Sequence, residues 1–492
     1  MSSSSPLSSP SPLSSPSPLS SPSFFSLHPT PHTLHPTPHT PHPTPHTPHP
    51  TPLRKTPHPS EIEDGCTLSS RHLRITVIGG GAAGFFGAIS CARANPYAKV
   101  TILEAGRQPL VKVRISGGGR CNVTHACFEP ATLVQNYPRG GKALRGAFAR
   151  FQPKDTVAWF ESERIKLKTE ADGRMFPISD DSSTIVYCLL QAAQAAGVEL
   201  RLGTPAIAVN KISHINEDSS QASDRVTPEI GDKGFEICLK SGEKLGSDRL
   251  LLATGSNPLG YQIAQSLGHK IIPPVPSLFT FNIRDDRLTD LAGISVANAR
   301  ARLPEAKLEQ TGPVLIAHWG LSGPAILKLS AWGARVLHDR SYKAALTINW
   351  LPQYNPETLR ERLQALKSER AKQAIATRCP FPLPRRLWER LLASAGIDRQ
   401  TRWASLSKKA LNLLVGELLQ GQYQITGKGV FKEEFVTCGG VSLKEVNFKT
   451  MESRCCPGLY FAGEILDIDG ITGGFNFQSA WTTSWLAGQA MS

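Results

Sequence analysis

The sequence predicts an α/β fold, a split Rossmann-type domain interrupted by an inserted α+β domain. Three observations predict it. First, a short apolar strand at Arg74–Ile78 runs straight into Gly79-Gly-Gly-Ala-Ala-Gly84 and then an Ala-rich helical stretch ending at Ala94. Second, apolar strand-like runs at Lys99–Leu103, 249–253 and 458–463 read as parts of the same sheet although they are spread over almost 400 residues. Third, the intervening material changes character. It opens with strand-like pieces (277–283, 344–350) and then shows helical apolar spacing at 356–374, 383–395 and 405–419.

These signals place the first part of the Rossmann domain at 71–258, the insert at 259–434 and the last part at 435–492. Residues 1–70 are different material. Ser-Ser-Pro-Ser-Pro-Leu repeats give way to His-Pro-Thr-Pro-His-Thr repeats, which cannot bury a core and are expected to be disordered. The first 60 residues contain no Asp or Glu, and Arg is absent until Arg54. That pattern resembles a chloroplast transit peptide more than an Arg-rich mitochondrial one. The alternative is a mispredicted start of the coding sequence, which leaves a cytoplasmic protein.

The 492 residues are 40% hydrophobic and 19% charged, ordinary for a globular protein. No run of eighteen apolar residues reads as a membrane span. The formal charge is +14, and residues from 71 onward carry 52 basic against 37 acidic side chains, a net +15. Such a surface is first of all a solvated one. It also attracts anions, either pyridine-nucleotide phosphates or RNA. Ten cysteines are present without a Cys-x-x-Cys, so neither a zinc ribbon nor a dithiol redox centre is read, and a reducing compartment fits. No metal ligand set is expected.

The chemistry sits at the ends of the strands. Gly79 allows the tight turn. Gly81 lets a pyrophosphate approach the backbone. Gly84 lets the helix pack close to the strand, with Ala82 and Ala83 opening that helix. Glu104, 20 residues after Gly84, is placed to accept from the adenosine ribose. This first motif serves NAD and FAD alike. Ala253-Thr254-Gly255, and then Tyr460-Phe-Ala-Gly463-Glu464 with Asp467, select FAD: the late acids fall where a ribityl hydroxyl or pyrophosphate edge would be held. Ser116-Gly117-Gly118-Gly119-Arg120-Cys-Asn122 offers backbone donors for a planar ring, with Arg114 and Arg120 to offset negative charge and Asn122 to bond the ring edge. Gly473 and Gly474 open a last helix, where donors would face the charge that develops on a reduced ring; Asn476 and Gln478 are further ring partners.

Together these residues resemble the BaiN/YhiN-type, or aminoacetone-oxidase-like, FAD flavoproteins. The resemblance runs from about Arg74 to the end of the chain. It rests on Ile78-Gly-Gly-Gly-Ala-Ala-Gly84, Ile115-Ser-Gly-Gly-Gly-Arg-Cys-Asn-Val-Thr124, Gly173-Arg-Met-Phe-Pro177, His318-Trp-Gly-Leu-Ser-Gly-Pro324, Thr450-Met-Glu-Ser453 and the segment from Gly458 to Gln478. The resemblance implies FAD in the split domain, a barrel-like sheet plus helices in the insert, and Ala206 beside the adenine. It also implies reduction of a bile-acid-type enone or amine oxidation. One departure is visible: many members carry a longer loop after Ala-Thr-Gly, whereas here Ala253-Thr-Gly-Ser-Asn-Pro-Leu-Gly260 passes quickly to Tyr261.

The expected activity is therefore an FAD-dependent oxidoreductase moving a hydride between flavin N5 and a small organic substrate, with NAD(P)H as a transient donor. Arg120, Asn122 and Asn476 are expected to tune the ring, and Arg174 or His318 to touch substrate. Nucleic acid and membrane are not expected partners. Two other classes stay open: a flavin-dependent RNA-modifying or RNA-binding protein, and a non-catalytic redox sensor.

Overall fold

The computed structural model describes residues 72–212, 234–429 and 436–492. The leader at 1–70 and the boundary at 434/435 lie outside the described residues.

A seven-stranded sheet forms the floor of the Rossmann part. Its parallel strands run Glu199–Arg201, Lys99–Leu103, Arg74–Ile78, Arg249–Leu252, Leu459–Phe461, and two short antiparallel strands (Glu452–Ser453, Val446–Asn447) extend the far edge. Register matters more than order here. Ile78 pairs with Leu103 on one side and Leu252 on the other, and Leu252 pairs with Phe461. Four strands widely separated in sequence thus end level. The residues that follow each end (Gly79, Glu104, Ala253-Thr254, Ala462-Gly463) are delivered to one edge, where open α/β sheets bind ligands.

The strands are buried on both faces, so they read as near-continuous Val, Ile and Leu runs. One face is closed by the Ala82–Ala94 helix and the C-terminal helix Phe475–Met491, which opens directly after Gly474. The two helices cross closely, because a Cβ on Gly488 would lie 2.6 Å from the Gly87 carbonyl oxygen. No helix among the described residues is long and apolar enough to cross a membrane.

The insert is a closed six-stranded barrel in the order Phe281–Ile283, Gly320–Ser322, Leu308–Ala317, Ser295–Leu303, Ala344–Asn349, Gly421–Lys428. Inward residues such as Phe281, Val314, Ile316, Leu346 and Ile425 are fully buried. The expected strand at 277–283 is instead two, Ile271–Ser277 and Phe281–Ile283, split by a turn in which Leu278 takes φ 57°. Three helices cap the barrel: Pro356–Glu369, Arg385–Ser394 and Lys408–Gln420.

Candidate functional site

A cavity opens at the level ends of the strands. Gly79, Glu104, Ala206 and Thr254 line it, together with Asn257 and Gly260. Glu104 is fixed before any ligand arrives: its Oε2 accepts from Gly80 N–H and its Oε1 from Gly106 N–H, each at 2.7 Å. Each oxygen keeps a lone pair, so the carboxylate is an oriented acceptor for two ribose hydroxyls. The Thr254 hydroxyl is buried and has no hydrogen-bond partner. A buried hydroxyl left unpaired costs free energy, and a polar ligand in this cavity would relieve it.

The glycines follow the same logic. A Cβ on Gly84 would collide with the Gly79 carbonyl oxygen, whereas one on Gly81 would meet nothing within 4 Å. The first glycine is required for packing and the second leaves an open approach. The Ala82–Ala94 helix begins with no side-chain cap, leaving its first N–H groups and positive dipole end for an anion. Gly463 seats against Ala83, where a Cβ would come within 2.8 Å of the Ala83 methyl. The abbreviated 253–260 loop turns directly into the helix Pro258–Ser266, capped by Asn257 accepting from Leu259 N–H at 2.9 Å.

A second group of predicted residues lies in the segment Val111–Gly119 and around Glu464 and Asp467. Gly117, Gly118 and Gly119 take φ of 58°, 71° and 85°. A side chain there is strained whatever the space around it. Glu464 holds Thr437 N–H (3.0 Å) and pairs with Lys112 Nζ at 2.6 Å beside Gly255. Lys112 was not singled out in the sequence; its only sequence signal is its position in the run before the three glycines. Asp467 Oδ1 is buried with no hydrogen bond, 3.9 Å from Arg335, and burial raises its carboxyl above the ordinary range.

Several side chains expected to face the ring are committed elsewhere. Asn122 donates to the Thr124 carbonyl (3.0 Å) and accepts from Gly474 N–H (2.9 Å), so it pins the start of the last helix. Asn476 bonds both backbone groups of Gly470, at 2.8 and 2.9 Å. Gln478 is fully buried: its oxygen accepts from Thr124 and Thr156 and its nitrogen donates to Thr482. Arg120 pairs with Glu170 at 2.6 Å and stacks 4.0 Å from the Phe176 ring centre. Arg174 pairs with the same Glu170 and with Asp172. These two guanidiniums are compensated by carboxylates. Arg114 is exposed, and its carbonyl accepts from the Ser182 hydroxyl at 2.6 Å; Ser116 donates to the Val113 carbonyl. His318 is exposed on a barrel turn and lines a separate polar cavity made only of insert residues, with Arg284 and Asp286.

His125 takes a place the sequence did not assign. Its Nδ1 lies 3.0 Å from the Gly473 carbonyl oxygen, and its ring packs 4.6 Å from Phe475. A carbonyl only accepts, so Nδ1 carries the proton and Nε2 is the free nitrogen. Gly173 has no Cβ at the spot where one would fall 2.5 Å from Nε2. Burial lowers the pKa of this imidazole. Cys121, beside Arg120, is buried and pushed up to about 12, which rules out a reactive thiolate.

A parallel sheet with a glycine turn on its first strand, a clamped acid after its second and an orphaned hydroxyl after the strand on the other side has the fold of a flavoprotein oxidoreductase, with an FAD-type cofactor as its implied ligand. Residues 73–490 match the family described as HI0933-like protein Rossmann domain, and the chain belongs to that family of YhiN/BaiN-type flavoproteins. A relative from Escherichia coli (strain K12), named ribosomal RNA dihydrouridine synthase, is 30% identical over 435 residues, covering 84% of this chain and 96% of its own. A relative from Clostridium scindens, named 3-dehydro-bile acid delta(4,6)-reductase, is 28% identical over 436 residues, covering 85% and 98%. A Haemophilus influenzae protein, also named ribosomal RNA dihydrouridine synthase, is 29% identical over 433 residues, covering 86% and 99%.

Proposed function

We propose that this protein is an FAD-dependent reductase of a carbon–carbon double bond conjugated to a carbonyl. One observation carries the reading. The two activities in the relatives' names, reduction of a uracil ring and of a 3-oxo-Δ4,6 steroid, share a single chemistry, and both relatives match nearly end to end. The residues present fit FAD. Glu104 and Ala206 would hold the adenosine end, the Gly79–Gly84 turn and Lys112 the pyrophosphate, and Gly117–Gly119 with Gly473 and Gly474 the ring. Bound there, FAD would supply a hydride from N5.

The protein's own contribution is orientation and proton supply. Hydride addition to the β-carbon leaves an enolate, which must be protonated. His125 keeps its Nδ1 proton on the Gly473 carbonyl and leaves Nε2 as an acceptor, so in this reading it takes a proton from solvent at Nε2 and passes it to the enolate. NAD(P)H is the proposed electron donor.

A second reading, in which the double bond belongs to a uridine within RNA, is favoured by the Escherichia coli relative's name and by the net +15 beyond residue 70. The test is anaerobic. Full-length protein is reduced with NADH or NADPH and mixed with a cyclic enone, with uridine monophosphate or with protein-free ribosomal RNA, and flavin reoxidation is followed. Reoxidation by none of the three overturns the proposal. Within the same reading, the acid-free first 60 residues direct import into plastids; diffuse cytosolic fluorescence from a fusion of residues 1–70 overturns that part.

A further inference from the structure

Half of the net positive charge beyond residue 70 lies in one small part of the molecule. Residues 356–409 contain thirteen Lys and Arg against five Asp and Glu, a net +8 out of +15. Within them 370–388 has no acid, and the second acid-free stretch, 399–416, begins there. The fold joins these two stretches. Ala374 and Arg402 form an antiparallel bridge, Ile375 N–H donates to Thr401 O at 2.9 Å, and Trp403 N–H donates to Gln373 O at 3.0 Å. Lys367 Nζ then ties the end of the first cap helix to the Leu406 carbonyl at 2.7 Å, just before Lys408 and Lys409.

Some of these charges are compensated, since Arg385 and Arg399 share Glu389 at 2.8 and 2.9 Å. Lys372, Arg402, Lys408 and Lys409 are exposed and meet no described acid. Two of them also work against local stability. Lys408 and Lys409 occupy the first turn of the Lys408–Gln420 helix, which has no acid there, so they oppose its dipole. A sequence that keeps such a conflict keeps it for a use outside the fold.

We propose that this basic face of the helical cap is a docking surface for structured RNA. The inference rests on the second reading above and names the part of the molecule that would serve it. Recognition would go through phosphates. The aromatic residue of the junction, Trp403, is buried, so no ring is offered for base stacking, and phosphate contacts position a partner without reading its sequence. A lipid surface fits less well. The large apolar side chains of these helices, such as Leu363, Trp388 and Leu391, are buried against the barrel, and among the described residues of 356–420 only Leu413 is strongly exposed. An interfacial helix needs an exposed apolar face.

The test uses the full chain and its variant K372Q/R402Q/K408Q/K409Q. Binding to protein-free ribosomal RNA is measured by filter retention between 50 and 200 mM salt, with double-stranded DNA and with vesicles of phosphatidylglycerol and phosphatidylcholine as competitors. Four lost phosphate contacts should reduce the slope of log K against log salt by roughly 3. Flavin content should stay unchanged, as should turnover of a free enone. The melting temperature should hold or rise. An unchanged slope overturns the proposal, as does equal competition by the DNA or by the vesicles. Retention needs no turnover, so RNA binding that persists without enone or uridine reduction would sink the chemistry and spare the docking surface.

Discussion

The strand-end cavity and the helical cap of the insert use polar groups in opposite ways. At the strand ends nearly every polar group is already held. Glu104 is clamped by two backbone N–H groups, Asn122 and Asn476 are spent on glycine backbones, and Gln478 is sealed among three threonines. Only a few, such as Thr254 Oγ1 and Asp467 Oδ1, are left unpaired. On the cap, Lys372, Arg402, Lys408 and Lys409 stand in solvent and meet no described acid. The first region is preorganised, which suits a small ligand held in one geometry. The second is accumulated charge, which suits a large anion held loosely.

The comparison can be broken most sharply at Gly474. A side chain there would press 2.5 Å from the Thr124 carbonyl oxygen at φ 92°. Gly474→Val is expected to cost about 3 kcal/mol or more and to abolish flavin retention. Gly118→Val has open space around it and only backbone strain, so it should lose less. Equal losses, read by flavin absorbance and urea denaturation, would mean the last helix is not anchored as described.

Next in size is the buried pair of Arg139 and Asp469, which also engages Ser277 and the Ala331 carbonyl of the insert. Asp469→Asn leaves Arg139 buried without its charge partner and should cost roughly 3–5 kcal/mol. A melting temperature like that of the unaltered protein would show that this junction contributes little. Thr254→Val should separate binding from folding. It removes an unpaired hydroxyl, so the flavin-free protein should be as stable as before or more so, while FAD affinity falls by about 0.5–1.5 kcal/mol. Unchanged affinity in a flavin titration would move the cofactor away from Thr254.

The smallest expected effect depends on pH. Burial raises the Asp467 carboxyl in the folded state, so its ionised form is penalised at neutral pH; the penalty fades as pH falls through the raised folded value and is gone below the unfolded one. Asp467→Asn should therefore melt higher than the unaltered protein at pH 7, with the gap closing toward about pH 4. A gap that widens on acidification would reverse the assigned sign.

The level strand ends were legible because buried parallel strands leave plain apolar runs and the glycine turn has few other uses. The barrel was harder to read. Its strand Ser295–Leu303 buries Ala299 and Ala301 between exposed or half-exposed arginines and asparagine, and alanine gives a weak apolar signal. The amide side chains at 122, 476 and 478 could not be sorted, since nothing in a sequence says whether an amide faces a ligand or a neighbouring backbone. His125 was missed because its role depends on Gly173 and Gly473, each far from it along the chain. The gathering of charge on the cap was hidden for a similar reason: it depends on the pairing of 374 with 402.

The level ends of the strands also set a timetable for biosynthesis. The glycine turn at Gly79 leaves the ribosome long before Leu459–Phe461, which joins the same sheet beside Arg249–Leu252, and before the closing helix Phe475–Met491. At about 5–20 residues per second that delay is about 20–80 s. Until then Arg249–Leu252 has one unpaired edge, whereas the barrel needs only Gly421–Lys428 to close. A chain cut before Phe475 would therefore carry a complete barrel but lack the helix that closes the Rossmann part.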